Sequence, residues 1–259
     1  MTRRARAPRH PQLLGIAGTV GMLGLLVLAW QAGSALHWWG PGLLPTPAEV
    51  AGAVRELLRT PDFWSSLTDT LLAVVVSFTT GSVLGIATGT LLWRFPLLGR
   101  VLEPYVVSFY AVPLIVLYPV MLVVIGINVW SLVVLNTVVV AIPVLLNTWV
   151  GLQAVPPVYH RLARSLRCGA VRRFRQVLLP AALPQILAGL RIGASLAVVG
   201  ITSMEFLLAP AGLGFQVRYL YEYFEHAQMW AYVVVIFVVA GGFMAAASAA
   251  ESAVQKARE

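Results

Sequence analysis

The stretch RLARSLRCGAVRRFRQVLLPAALP, residues 161–184, places six arginines within its first fifteen positions. It interrupts a chain of 259 residues that is 59% apolar and only 11% charged, whereas soluble domains carry about 25% charged residues. Apolar runs of membrane length flank it on both sides. The sequence therefore predicts an all-α integral membrane protein with a basic loop at the edge of the membrane.

Six apolar runs are long enough to cross a bilayer. They lie at roughly 13–36, 65–93, 101–125, 128–150, 180–208 and 230–250. The first run exceeds the apolar region of about 7–15 residues found in a signal peptide, so it is predicted to be a membrane helix. Pro113, Pro119 and Pro143 fall inside the runs and indicate kinks in a bundle with an interior path.

These runs divide the chain into five predicted parts. Residues 1–12 are a basic N-terminus, 13–36 the first membrane helix, 37–63 an outer segment with an amphipathic helix, 64–250 a core of five membrane helices, and 251–259 a tail. The core includes the basic loop, at 151–179. The only cysteine, Cys168, excludes an intrachain disulfide.

The distribution of Lys and Arg predicts the orientation, because short cytoplasmic loops are enriched in both residues. If the N-terminus is cytoplasmic, fourteen of the eighteen basic residues lie on that side: Arg3, Arg4, Arg6, Arg9, Arg94, Arg100, Arg161, Arg164, Arg167, Arg172, Arg173, Arg175, Lys256 and Arg258. The outer segments hold only Arg55, Arg59 and Arg218, and Arg191 lies within a membrane run. Both termini are therefore predicted to be cytoplasmic. Topology also accounts for the net charge of +8, so no nucleic-acid partner is predicted.

Two polar segments on the outer side are predicted to be partly helical. In TPAEVAGAVRELLRT, Thr46 is a candidate N-cap, Pro47 occupies the first helical position and Glu49 the third. Residues 209–229 are too polar to span and are rich in aromatic side chains. We expect both segments to lie along the outer surface.

The basic loop itself is predicted to form two short helices at the cytoplasmic surface. Leu162 and Leu166 share one face of the first, which is expected to stop near Gly169. In the second, Phe174, Val177 and Leu178 oppose Arg172, Arg173 and Arg175, and this run leads into Pro180. Such a pair of helices could protrude into a groove on a soluble partner.

The stretch from ARSLRCGAVRRFRQVLLPAALP to MEFLLAPAGLG resembles the EAA region and following helix of ABC importer permeases, in the group serving nitrate, sulfonate, taurine and thiamine-precursor uptake. Leu179-Pro180 anchors the match, and Ala163, Arg164, Ser165 and Leu166 fall where the family often has the same residues. Glu205 aligns with an acidic residue that this group commonly carries. The similarity extends over about residues 40–250 and includes PLIVLYPVMLVVIGI and LLPTPAEV.

The resemblance implies a six-helix type I importer permease fold with a cytoplasmic coupling helix that docks into an ATPase subunit. The implied coupling residues are Arg161, Leu162, Ala163, Arg164, Ser165, Leu166, Arg167, Gly169 and Arg173. The implied partners are ATP-binding cassette ATPases that carry ATP and magnesium, an extracytoplasmic solute-binding protein, a second permease copy or paralogue, and membrane lipid. The implied location is the bacterial cytoplasmic membrane.

The chain departs from the family pattern at two positions. The motif Glu falls on Arg161 and the motif Gly on Arg167, with the nearest glycine displaced to Gly169. The first change reverses a charge, and the second removes easy access to a left-handed turn. Two explanations stay open: a compensating acidic groove on the ATPase, which we favour slightly, or a heterodimer whose other permease keeps the regular motif.

Ionisable residues inside membrane runs are candidate functional groups. Arg191 is expected near mid-membrane, either facing the translocation path, bracing a dimer, or bonding to carbonyls of a kinked helix, the last being slightly favoured. Glu205 and Asp69 are expected near the outer mouth, solvated at the membrane interface, with Arg218 as a possible partner of Asp69. Pro113 and Pro119 are the other path candidates. Asn128, Asn136 and Asn147 are expected to join helices.

No motif for chemistry is present. The sequence has no GxxxxGK[ST] or HExxH, its histidines are scattered, and glycine patterns such as GIATG and GLRIG fit close helix packing. No catalytic residue, metal site or cofactor bound by this chain is predicted. The alternatives to an importer permease are an intramembrane or lipid-modifying enzyme using Arg191, Glu205 and Asp69, and a secondary carrier, for which no inverted repeat is visible.

Overall fold

The computed structural model describes residues 11–36, 44–110 and 112–256, which contain helices and no strands. The helices are α1 Pro11–Ala35, α2 Pro47–Leu57, α3 Pro61–Arg94, α4 Pro96–Tyr110, α5 Tyr118–Ile125, α6 Val129–Gln153, α7 Pro157–Ser165, α8 Ala170–Arg173, α9 Leu179–Leu207, α10 Leu213–Glu222 and α11 His226–Lys256. A 3-10 turn covers Leu114–Leu117, and a π-helix covers Phe174–Leu178. The predicted all-α fold is confirmed.

Four helices are long and apolar enough to cross a membrane: Pro61–Arg94, Val129–Gln153, Ala170–Leu207 and His226–Ala253. The bent pair Pro96–Phe109 and Leu114–Ile125 makes a fifth crossing if it is counted as one span. In α1 a further apolar helical stretch covers Gly24–Ala35. The division of the chain into the five predicted parts stays a prediction, and the basic residues Arg3, Arg4, Arg6, Arg9 and Arg258 lie outside the described residues.

The apolar run at 101–125, in which prolines indicated a kink, is sharply bent. The chain forms α4 and, after a break, the 3-10 turn and α5, with an angle of 82° between the two helical parts. Pro113 lies at the break, where its ring disfavours a helical conformation for the preceding residue and it has no N–H to donate. Gly126, at φ 99°, then ends α5 before α6 begins.

Close packing of α3 on α6 forms the centre of the bundle. Gly81, Gly85 and Gly89 recur every four residues of α3, and a Cβ atom at each would come within 2.6–2.8 Å of α6. Only glycine permits this approach of the two backbones. The prediction that the GIATG pattern serves helix packing is confirmed.

Buried asparagine joins the three central helices. Asn136 of α6 is fully buried, and its amide donates to the Ser77 hydroxyl of α3 at 2.8 Å and to the Ala197 carbonyl of α9 at 3.0 Å. Asn147 accepts a hydrogen bond from Gln185 of α9 at 3.0 Å. Asn128 caps α6 by accepting the N–H groups of Trp130 and Ser131, and its amide donates to the Ile125 carbonyl of α5 at 3.1 Å, so it joins α5 to α6 as predicted.

The N-terminus of α2 follows the predicted capping chemistry. The Thr46 hydroxyl accepts the Glu49 N–H at 3.2 Å, and the Glu49 carboxylate accepts the Thr46 N–H at 2.7 Å. The two side chains thus satisfy backbone donors that the first turn leaves unpaired. This short helix packs against α11, as does α10.

Candidate functional site

The basic loop connects α6 to α9 at one end of the bundle, which we call the loop end (residues 154–178). Its first helix, α7, is held by Ala163, which is fully buried. Three apolar side chains on α7 and the turn after it point away from the bundle: Val158, Leu162 and Leu166 are 54%, 50% and 65% exposed. Their spacing of four residues puts them on one face, so the loop presents an apolar stripe with no covering element among the described residues.

Arg167 makes the turn that ends α7. Its φ is 49°, and the Cys168 N–H donates to the Ala163 carbonyl at 3.0 Å, the wide bond of a Schellman cap. The sequence suggested that arginine in place of the family glycine would make a left-handed turn hard to reach. Arg167 nevertheless adopts the left-handed conformation. For a residue with a side chain this conformation costs about 1–2 kcal/mol.

The second predicted surface helix is not separate. From Ala170 the chain runs through α8 and the π-helix directly into α9, giving one helical segment, Ala170–Leu207. The Leu179 N–H donates to the Phe174 carbonyl, five residues back, just before Pro180. Because Pro180 has no N–H for an ordinary helical bond, the wider π turn accommodates it without breaking the helix.

The other predicted coupling residues are spread over both parts of the loop. Arg161, Arg167 and Gly169 are exposed, and the Ser165 hydroxyl bonds back to the carbonyls of Arg161 and Leu162. Arg164 belongs to α7, but its side chain lies outside the described part of the structure. Arg173 is half-buried. Val158 was missed, although its position one turn before Leu162 was visible in the sequence.

Glu205 lies at the opposite end of α9, which we call the α10 end. It is 1% exposed, so the expectation of solvation at the interface is wrong. The Thr70 hydroxyl lies 2.9 Å from both carboxyl oxygens, and the Gly214 N–H donates to one of them at 3.0 Å. The carboxyl group therefore caps the start of α10 and ties it to α3.

The start of α10 is shaped around this carboxyl group. Gly212 has φ 102°, and a side chain there would overlap the carboxyl group of Glu205. The Leu213 N–H donates to the Thr70 hydroxyl at 2.9 Å. Sequence reasoning missed Thr70, because nothing local links it to Glu205, 135 positions away. It also missed Gly212, although this glycine follows Glu205 by only seven positions.

Arg191 forms an ion pair with Glu251 of α11, a partner that no sequence expectation named. Its side chain is 57% exposed and that of Glu251 15% exposed. The predicted bond to helix carbonyls is not seen among the described residues. The Arg218 guanidinium donates to the carbonyls of Leu207 and Ala209 and lies 3.8 Å from Glu222, not against Asp69 as suggested.

The path candidates do not converge on one place. Pro113 lines a cavity of about 310 Å³ together with Ile142, Val199 and Ser203, whereas Arg191 lines a different groove. Pro119 lies in the first turn of α5. In the described residues, no group of three or more His, Cys, Asp or Glu side chains could hold a metal ion.

A bundle of apolar helices long enough to cross a membrane, with an exposed basic loop at one end, is the architecture of an integral membrane protein. The family described as binding-protein-dependent transport system inner membrane component matches residues 81–257, and the chain belongs to this family. It is a permease subunit of an importer of the ABC type, in which ATP hydrolysis belongs to a separate subunit. The comparisons favour neither the enzyme nor the secondary carrier.

Similar proteins support this placement. The chain is 27% identical over 237 residues to the taurine transport system permease protein TauC of Escherichia coli (strain K12), covering 90% of this chain and 86% of the relative. It is 30% identical over 203 residues to the nitrate import permease protein NrtB of Synechocystis sp., covering 74% and 72%. A structure of the methionine ABC transporter MetNI matches with a TM-score of 0.63 and 25% identity, covering 75% of this chain and 98% of the other.

Proposed function

We propose that this permease receives the motion of its ATPase through the apolar stripe of Val158, Leu162 and Leu166. The observation that carries the proposal is their exposure of 50–65% on one face of a short helix at the aqueous end of the bundle. Leaving such a stripe in water is unfavourable, and apolar stripes of this kind usually mark a protein interface. In the assembled importer, a cleft on the ATPase subunit covers this stripe. The same subunit would hold ATP and magnesium.

Arginines flank this stripe and add a charge requirement to the interface. Arg161 and Arg167 are both exposed beside it, at the positions where the family has Glu and Gly. A cleft that accepts them needs acidic side chains opposite. We keep the compensated ATPase groove as the favoured explanation and a heterodimer with a regular paralogue as the alternative.

The translocation path runs beside the bend between α4 and α5. The cavity at Pro113 opens there between α6 and α9, and the neighbouring face of α5 is apolar and exposed, with Val123 at 87% and Val124 at 71%. A second permease copy or paralogue would cover this face and close the path. Pro113 and Pro119 shape the path by fixing the bend between α4 and α5. Arg191 and Glu205 have structural roles, Arg191 in its ion pair with Glu251 and Glu205 in capping α10.

The solute is a small polar compound of the kind named for the relatives, such as taurine or nitrate. The solute-binding protein docks on the outer segments 37–63 and 209–229, where Tyr221, Tyr223 and Phe224 are 59–78% exposed. Both termini are cytoplasmic in a bacterial inner membrane, as the basic residues indicate. ATP-driven closure of the ATPase subunits then opens the path to one side of the membrane at a time.

The substitution Leu162→Asp tests the coupling role, with Leu162→Met as its matched control. The importer is reconstituted with its ATPase and binding protein, and solute uptake and binding-protein-stimulated ATP hydrolysis are measured. We expect Leu162→Asp to lower both by about tenfold or more, since it puts a charge into an apolar contact. Leu162→Met keeps the apolar volume and retains both activities.

Membrane insertion provides the internal check. Because Leu162 is half exposed, the aspartate variant is expected to accumulate in the membrane at the normal level. Uptake by Leu162→Asp at the wild-type rate would contradict the proposal.

A further inference from the structure

Two cavities lie along α3 and the long helical segment Ala170–Leu207 on the loop-end half of the molecule, and we treat them as the two sections of one groove. Its lower section, of about 450 Å³, is lined by Thr90, Trp93 and Arg94 of α3 and by Arg173, Phe174 and Arg175. Its upper section, of about 370 Å³, begins one helical turn further along α3, where Ile86 replaces Thr90 in the lining. The two sections share no lining residue, but Ile86 and Thr90 are four positions apart and so place them one turn apart on the same face of α3.

The lower section is basic and has an aromatic wall. Arg94, Arg173 and Arg175 line it, and no acidic residue does. The rings of Trp93 and Phe174 lie 5.8 Å apart and form the wall. The Nε of Arg173 is buried without a hydrogen-bond partner in the described part of the chain. Buried donors are nearly always paired, so this guanidinium is not fully satisfied within the described part of the chain, and its side chain also lines the groove.

The upper section is apolar. Phe78, Val83 and Ile86 of α3 face Leu187 and Leu190 of α9 across it, and the ion pair of Arg191 with Glu251 closes its far side. Leu178 in the lower section and Leu187 in the upper section are nine residues apart, about 14 Å along the helix. This length suits part of an acyl chain lying along the helices.

We propose that the groove binds an anionic phospholipid from the leaflet on the loop-end side of the membrane. Its phosphate is held by Arg94, Arg173 and Arg175, since guanidinium groups donate paired hydrogen bonds to phosphate oxygens and basic pockets between membrane helices suit anionic headgroups. An acyl chain fills the apolar section. A free phosphate ion would use only the basic part and leave the apolar part empty.

The site goes beyond the transport function, because it places a lipid between α3 and the segment that leads to α7. Phe174 and Arg175 belong to the π-helix, so lipid contacts one of the few irregular turns of the segment. Single π turns inside helices occur often at binding sites. An occupied groove fixes the distance between the end of α3 and the basic loop.

Native mass spectrometry of the intact importer in detergent tests the site. Phosphatidylglycerol and phosphatidylcholine are titrated separately, and inorganic phosphate is added as a competitor. We expect phosphatidylglycerol to bind at least about tenfold more tightly than phosphatidylcholine and to resist displacement by phosphate. Equal binding of the two lipids, or ready displacement by phosphate, would overturn the lipid assignment.

The variant Arg94→Gln/Arg175→Gln removes two of the three guanidinium groups, and both residues are exposed, so the fold is retained. Arg172→Gln is the matched control, because Arg172 bonds to Gln176 at 2.8 Å and does not line the groove. We expect the double variant to weaken phosphatidylglycerol binding about tenfold and the control to leave it unchanged. Equal losses in both variants would show a general charge effect and overturn the proposal.

Val83→Trp addresses the acyl-chain section separately. Val83 is 62% exposed and lines the upper groove, so a larger side chain there fills the groove without disturbing buried contacts. We expect it to weaken phosphatidylglycerol binding. Unchanged binding in this variant would leave only a headgroup site and contradict the proposed position of the chain.

Discussion

The two ends of α9 differ in whether key side chains there are buried and find hydrogen-bond partners within the chain. At the α10 end, the carboxyl group of Glu205 is buried and receives hydrogen bonds from Thr70 and Gly214. At the loop end, the stripe of Val158, Leu162 and Leu166 is exposed and the Nε of Arg173 has no partner among the described residues. Glu205 therefore acts as a fixed joint between α3, α9 and α10, whereas the loop end leaves an apolar stripe and a guanidinium nitrogen without partners among the described residues.

The largest expected effect tests the fixed joint at Gly212. Gly212→Ala places a side chain into the carboxyl group of Glu205 at φ 102°, so we expect a loss of stability of about 3 kcal/mol or more. The thermal unfolding midpoint in detergent measures it. Gly52→Ala in α2 is the control, because a Cβ there meets nothing within 4 Å and alanine favours a helix. Equal midpoints for Gly212→Ala and the wild type would show that the structure around Glu205 rearranges to accept the side chain without loss of stability.

A smaller effect is expected from Thr70→Val, which keeps the shape of the side chain and removes its hydroxyl. The buried carboxyl group and the Leu213 N–H each lose a partner, and we expect a loss of about 1–3 kcal/mol. The control, Thr88→Val, removes an exposed hydroxyl that bonds only within its own helix. If both variants unfold at the same temperature, the bonds at Glu205 contribute nothing to holding α10.

The smallest effect, of opposite sign, is expected at the loop end. Arg167→Gly relieves a left-handed backbone conformation at φ 49°, so we expect a gain in stability of about 1 kcal/mol. Arg161→Gly, inside α7, removes a similar charge but loses about 1 kcal/mol, because glycine disfavours a helix interior. Differential scanning fluorimetry of the two variants gives the comparison. A lower midpoint for Arg167→Gly would mean that the arginine side chain makes a stabilising contact.

Local sequence chemistry was predictable, because the deciding atoms lie close together in the chain. The capping box of Thr46 and Glu49 and the glycine spacing in α3 both followed from rules that span a few residues. The stripe of Leu162 and Leu166 also followed from helical periodicity. Its role in coupling stays a prediction.

Contacts between distant segments were not predictable. Glu205 was expected in water because the sequence does not show that α10 folds back over it. Arg191 was placed near a path or against carbonyls, yet its partner Glu251 lies sixty residues away in what was predicted to be a tail. Pro113 indicated a kink between α4 and α5, but its extent was not predictable, because hydropathy alone does not separate a kink from a break.

The unbroken helical segment Ala170–Leu207 has a mechanical consequence. Its 38 residues make a rod about 57 Å long, with the basic loop at one tip and Glu205 near the other. A tilt of about 5° around the end held by the hydrogen bonds of Glu205 would move the loop end by about 5 Å, roughly one helical turn. The length of this segment would therefore turn a small rotation at Glu205 into a large displacement at the basic loop.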